Sequence, residues 1–95
     1  MVAETILRQL GGRRFAVMTG SKNFIDGGDS LSMKLTRNQS GANYLRITLT
    51  PADEYKMEFI KANAKGMKTI KELEGVYCDQ LQNIFTDVTG MYTRL

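Results

Sequence analysis

Three segments of this chain alternate apolar and polar residues with a period of two, and they follow one another closely. Ser30 to Thr36 sets Leu31, Met33 and Leu35 against Ser30, Ser32, Lys34 and Thr36. Tyr44 to Leu49 sets Leu45, Ile47 and Leu49 against Tyr44, Arg46 and Thr48. From Tyr55, the residues Tyr55, Met57 and Phe59 alternate with Lys56, Glu58 and Ile60. Successive side chains of a strand point to opposite faces, so each segment predicts a strand buried on one side. The first link, Arg37 to Ala42, is turn-rich, and Thr50-Pro51-Ala52-Asp53 has its proline and aspartate where a type I turn wants them. Parallel neighbours would need a crossover of about a dozen residues or more, so links this short predict an antiparallel meander.

The flanking segments complete the architecture. Ala3 to Leu10 carries Ile6, Leu7 and Leu10 at helical spacing and stops at Gly11-Gly12, which predicts a short N-terminal helix. Arg13 to Thr19 holds an apolar run, Phe15 to Met18, between glycines, and reads as a further strand ahead of the three. Gly20 to Asp29 reads as a long hairpin loop with Asp26-Gly27-Gly28-Asp29 at its tip. Ala62 to Gly66 is a loop, and Met67 to Ile70 is either a fifth short strand or a lead-in to helix. From Val76 onward, Tyr77, Leu81, Ile84, Phe85 and Val88 fall on one helical face, Asp79, Gln80, Gln82, Asn83 and Asp87 on the other, and Gly90 is a suitable C-cap. The expectation is a single α+β domain over residues 1–95. A four- to five-stranded antiparallel meander carries a C-terminal amphipathic helix on one face and a short N-terminal helix.

Two absences narrow the chemistry. The chain has no histidine, which removes the commonest general base and metal ligand and the Ser-His and Cys-His nucleophile pairs. Its single cysteine, Cys78, allows no internal disulfide and no zinc site, which favours a reducing compartment and a partly buried, inert thiol. The acidic Asp26-Gly27-Gly28-Asp29 stretch is too short for an EF-hand and lacks a third acidic neighbour, so no metal is expected. No apolar stretch approaches the ~20 residues of a membrane helix, and residues 1–10 lack a signal-peptide core, so a cytoplasmic protein is expected. Scattered Asp, Glu and Lys show no pairing suited to acid–base work, and neither an enzyme nor a cofactor is expected.

Charge points to a partner instead. The net charge is +3, and residues 1 to 51 hold seven basic side chains against three acidic ones. Lys61, Lys65, Lys68 and Lys71 fall within eleven residues that contain no acid. A sheet covered by a helix on one face would show Lys34, Tyr44, Arg46 and Lys56 on the other. Cations that track phosphates beside an aromatic that stacks a base suit single-stranded DNA or RNA. Gly11-Gly12-Arg13-Arg14 adds two guanidiniums, Arg13 and Arg14, suited to bidentate phosphate contacts, although it lacks the order and the lysine of a P-loop.

The residues Leu10-Gly11-Gly12, Phe15, Met18-Thr19-Gly20, Lys22-Asn23-Phe24 and Ser30 to Leu35 carry a resemblance, together with Gly75-Val76-Tyr77, Phe85-Thr86 and Thr89-Gly90-Met91-Tyr92. They resemble a group of small proteins encoded in phages, prophages and related mobile elements of bacteria. That resemblance implies a mobile-element setting and a bacterial cytoplasm, and no particular activity. Four strands followed by a helix is also similar in order to the positive-cofactor and Whirly single-stranded DNA-binding folds, whose sequence motifs are absent here. Together these lead to a non-enzymatic module that holds single-stranded nucleic acid on its open basic sheet face, as a homodimer in one form of the expectation. The competing expectation is an accessory protein that acts on a host protein through its methionine-rich and aromatic surface or its acidic helix face.

Overall fold

A computed structural model describes residues 2–93. Its elements run α1 (Val2–Leu10), α2 (Arg13–Thr19), β1 (Lys22–Asp26), β2 (Ser30–Lys34), β3 (Tyr44–Leu49), β4 (Tyr55–Asn63), β5 (Gly66–Val76), a 3-10 turn (Cys78–Gln80) and α3 (Leu81–Thr89). The five strands form one antiparallel sheet in the order β1-β2-β3-β4-β5, a meander as the short links predict. One face of the sheet supplies Leu31, Met33, Leu45, Ile47, Met57 and Phe59 to a core completed by Ile6, Leu10, Phe15, Leu81 and Phe85 from the helices. The fold is therefore a two-layer α+β domain with the helices on one side only.

The segment Arg13 to Thr19, expected as a strand, is the helix α2. Its apolar run was the misleading signal: Phe15 and Thr19, four apart, are the buried pair, while Val17 is 73% exposed. Phe15 meets Phe85 of α3 edge to face, with ring centroids 5.0 Å apart. The glycines that looked like strand boundaries are helix punctuation. Gly12 N–H reaches back to the Leu7 carbonyl at 2.8 Å and closes α1. Gly20 ends α2 at φ 70°, where a Cβ would also lie 2.7 Å from Thr36 Cγ2. The Thr36 hydroxyl donates to the Thr19 carbonyl at 2.7 Å and ties α2 to the end of β2.

The expected long loop also holds a strand. Lys22–Asp26 pairs with β2 as β1, leaving only Gly27 to Asp29 as the turn. The Asp26 carboxylate accepts the Gly28 N–H at 2.8 Å, so this acidic tip is built as a hairpin turn. Every residue of β1 is exposed, and Asn23 sits at φ 57° in a bulge between the pairs Lys22↔Lys34 and Ile25↔Ser32. With neither face buried there is no alternation to read.

Met67 to Ile70 belongs to β5, an eleven-residue edge strand. The C-terminal helix begins later than its periodicity suggested. Val76 closes β5, Tyr77 is 55% exposed, and Cys78 lies exposed in the 3-10 turn rather than partly buried. Leu81, Phe85 and Thr89 form the buried stripe of α3, and Gly90 caps it at φ 77°. Gln82, expected on the solvent side, donates to the Leu10 carbonyl at 2.9 Å and links α3 to the end of α1.

Candidate nucleic-acid interface

The face opposite the helices is ordered by strand register. One row across the sheet reads Lys22, Lys34, Tyr44, Ile60 and Thr69 from β1 to β5. The next reads Ile25, Ser32, Arg46, Glu58 and Glu72. A third holds Ser30, Thr48 and Lys56. Directly opposed residues share a face, so Lys34 and Tyr44 are immediate neighbours, while Arg46 and Lys56 stand one and two rows away.

The rows differ in electrostatics. Arg46 faces Glu58 across β3 and β4, with Nε 3.3 Å from Oε1. That Nε is buried and poorly aligned to donate, so the pair is a charge contact rather than a shaped hydrogen bond. Lys56 Nζ lies 3.2 Å from Glu72 Oε1, and the hydrogen bond with Glu72 raises the lysine above its usual pKa. The two cations and two carboxylates cancel, so the middle of the face is neutral. In the first row no carboxylate is present. Among the described residues, neither Lys22 nor Lys34 forms an ion pair. Ile60, on this same face between Tyr44 and Thr69, is only 6% exposed, so it fills the row without offering surface of its own.

Beyond that row the sheet narrows to two strands. β3 starts at Tyr44, opposite Ile60, but β4 and β5 continue through Lys61↔Lys68, Ala62↔Met67 and Asn63↔Gly66. Three further residue pairs at ~3.4 Å each make a ribbon roughly 10 Å long. Its base is fixed by Asn43. The Asn43 side chain donates to the Ala62 carbonyl at 2.7 Å and accepts the Ala62 N–H at 2.8 Å, doing for β4 what a further residue of β3 would do. A bulge at Ile70, the extra residue between the pairs Phe59↔Lys71 and Ile60↔Thr69, bends the ribbon where it leaves the sheet. At the tip, Asn63 Oδ1 accepts the Lys65 N–H at 2.8 Å, and Gly66 takes φ 137°.

The ribbon has two dissimilar faces. Ala62 and Met67 continue the face of Tyr44 and Ile60, with Met67 73% exposed. Lys61 and Lys68 point the other way, and Lys65 sits in the turn. Lys61, Lys65, Lys68, Asn63, Met67 and Ile70 surround a shallow depression of about 470 Å³.

Of the residues singled out from the sequence, Lys34 and Tyr44 come together, while Arg46 and Lys56 share their face but are paired with glutamates. Arg13 and Arg14 are exposed in the first turn of α2, in the helix layer and apart from this face. Lys22 was hidden within the expected loop. Among the described residues no group of three or more His, Cys, Asp or Glu could hold a metal ion, and no helix is long and apolar enough to cross a membrane. No protein-family model, curated protein or solved structure matches the chain.

Proposed function

We propose that this protein is a non-enzymatic nucleic-acid-binding module that holds single-stranded DNA or RNA at the basic end of its open sheet face. The observation that carries the reading is the row Lys22, Lys34 and Tyr44: two cations without an ion-pair partner among the described residues and one aromatic ring, with no carboxylate among them. Phosphates attract the lysines, while a base with its π-face open can stack on Tyr44, an arrangement indifferent to sequence. Duplex bases are already stacked and offer Tyr44 nothing. Arg46 and Lys56 contribute less than their charge suggests, because a phosphate must first displace Glu58 or Glu72. The phage and mobile-element setting and the cytoplasmic location belong to the same proposal and rest on the sequence resemblance.

The test is fluorescence polarisation of labelled single-stranded DNA, duplex DNA and single-stranded RNA against the purified protein, at low and at physiological salt. The expected result is micromolar or tighter binding to a single-stranded probe, weakened by added salt and lost roughly tenfold or more in a Lys34→Glu, Tyr44→Ala double variant. Absence of binding to every probe at low salt would overturn the reading.

A further inference from the structure

We propose that the β4–β5 ribbon is the principal phosphate-gripping element of this nucleic-acid site, with Lys61, Lys65 and Lys68 as its contacts and Asn43 as the residue that holds it in place. This rests on the nucleic-acid reading above and assigns most of its electrostatics to an element outside the sheet face.

Three observations support it. Lys61 and Lys68 are direct cross-strand partners, and like charges in that position oppose strand pairing. Edge lysines do guard sheets against unwanted pairing, and Lys61 and Lys68 stand one on each edge, but Lys65 lies in the turn, where there is no strand edge to guard. All three fall on a short ribbon, in a stretch from Lys61 to Lys71 that contains no acid. Elsewhere on the open face the chain sets glutamates beside its cations, as at Arg46–Glu58 and Lys56–Glu72, so the missing acids are specific to this end.

The ribbon is also preset. The paired Asn43–Ala62 hydrogen bonds anchor the strand edge that β3 leaves open, so a polyanion meets cations already held at the end of the sheet. The apolar side of the ribbon, Ala62 and Met67, lies on the same face as Tyr44 and Ile60. A single strand crossing from Lys34 over Tyr44 then meets apolar surface for its bases while its phosphates reach the lysines around the ribbon, whose long stems let the charged heads extend past either edge.

The experiment measures binding of an oligothymidylate of roughly ten nucleotides as a function of salt. The wild type is compared with Lys61→Gln, Lys65→Gln, Lys68→Gln together, with the matching triple Lys→Arg variant, and with Lys22→Gln, Lys34→Gln. Each phosphate contact on a single strand contributes ~0.7 to the slope of log affinity against log salt, so the glutamine triple should reduce the slope by about 2 and weaken binding at physiological salt roughly tenfold. The arginine triple should keep the wild-type slope. Because neutralisation removes the Lys61–Lys68 repulsion, the glutamine triple should unfold at a temperature no lower than the wild type, which separates lost contacts from lost fold. Wild-type binding with an unchanged slope in the glutamine triple would overturn the ribbon assignment and leave the sheet-face reading intact. Failure of the wild type to bind would overturn both.

Discussion

The middle of the open face and its ribbon end are made from similar residues arranged by opposite rules. In the middle, Arg46 and Lys56 each stand beside a glutamate, and the charges cancel within the protein. At the end, Lys22, Lys34, Lys61, Lys65 and Lys68 have no carboxylate partner among the described residues, and two of them face each other across a strand pair. Internal pairing makes a surface that is content in water. Cations left without a partner on a preset ribbon are hydrated in the free protein and remain available to a charge from another molecule, and the proposed interface rests on this difference between the regions rather than on total charge.

The contrast has to be a property of the surface and not of unequal support beneath it, since Phe59 and Leu45 lie under the junction between the two regions and belong to the one core. Phe59→Ala should therefore destabilise the whole domain by about 3–5 kcal/mol in one transition, read by denaturant unfolding. Separate melting of the ribbon end in that variant would mean the regions are independently supported. Asn43→Ala sharpens the comparison by acting on one side of it. Two hydrogen bonds to the Ala62 backbone disappear, with a loss of roughly 1–3 kcal/mol. Amide exchange at Ala62 and Lys61 should accelerate, while amides of β3 around Arg46 stay protected; equal acceleration in both places would remove Asn43 as a local anchor.

Mirror-image charge changes should give effects of opposite sign. Arg46→Glu puts two glutamates opposite each other in the middle of the sheet and should lower stability by up to about 1 kcal/mol. Lys61→Glu turns a like-charge pair into an opposite-charge pair with Lys68 and should raise stability by about half that. Thermal unfolding of the two variants at low salt checks both signs. The same sign in both would show that the ribbon lysines carry no folding penalty.

Which parts of this arrangement could be read from sequence follows from burial. Leu31, Met33, Leu45, Ile47, Met57 and Phe59 are buried at alternate positions, so β2, β3 and the first part of β4 announce themselves. The strands β1 and β5 have almost no buried residues and are strands because a neighbour pairs with them, which no local pattern records. In α2, seven residues show only Phe15 and Thr19 to the core, too short a stretch for helical period to outweigh the apolar run Phe15 to Met18. The site divides the same way. That Lys34, Tyr44, Arg46 and Lys56 share a face follows from alternation, and the lysine cluster is visible as composition. That Arg46 meets Glu58 and Lys61 meets Lys68 depends on register, which is set by turns and bulges distributed along the chain. The placement of Lys22 beside Lys34 needed β1 to be recognised first.

The smallest effect concerns pH and belongs to the neutral middle alone. Glu72, by hydrogen bond and charge, holds Lys56 above the usual lysine pKa in the folded protein, with further attraction from Glu58 and Glu74. A cation whose pKa is raised by folding contributes stability that is fully present below its unfolded value and is lost as pH rises through the folded one. The contribution therefore persists at neutral pH and fades only in the alkaline range above the ordinary lysine pKa. Both side chains reach water, so the effect is slight, and it should vanish in Glu72→Gln. Melting temperatures of wild type and Glu72→Gln, compared from neutral to strongly alkaline pH, should converge as Lys56 deprotonates. A constant gap across that range would mean that Glu72 supports β5 through its packing and not through its charge on Lys56.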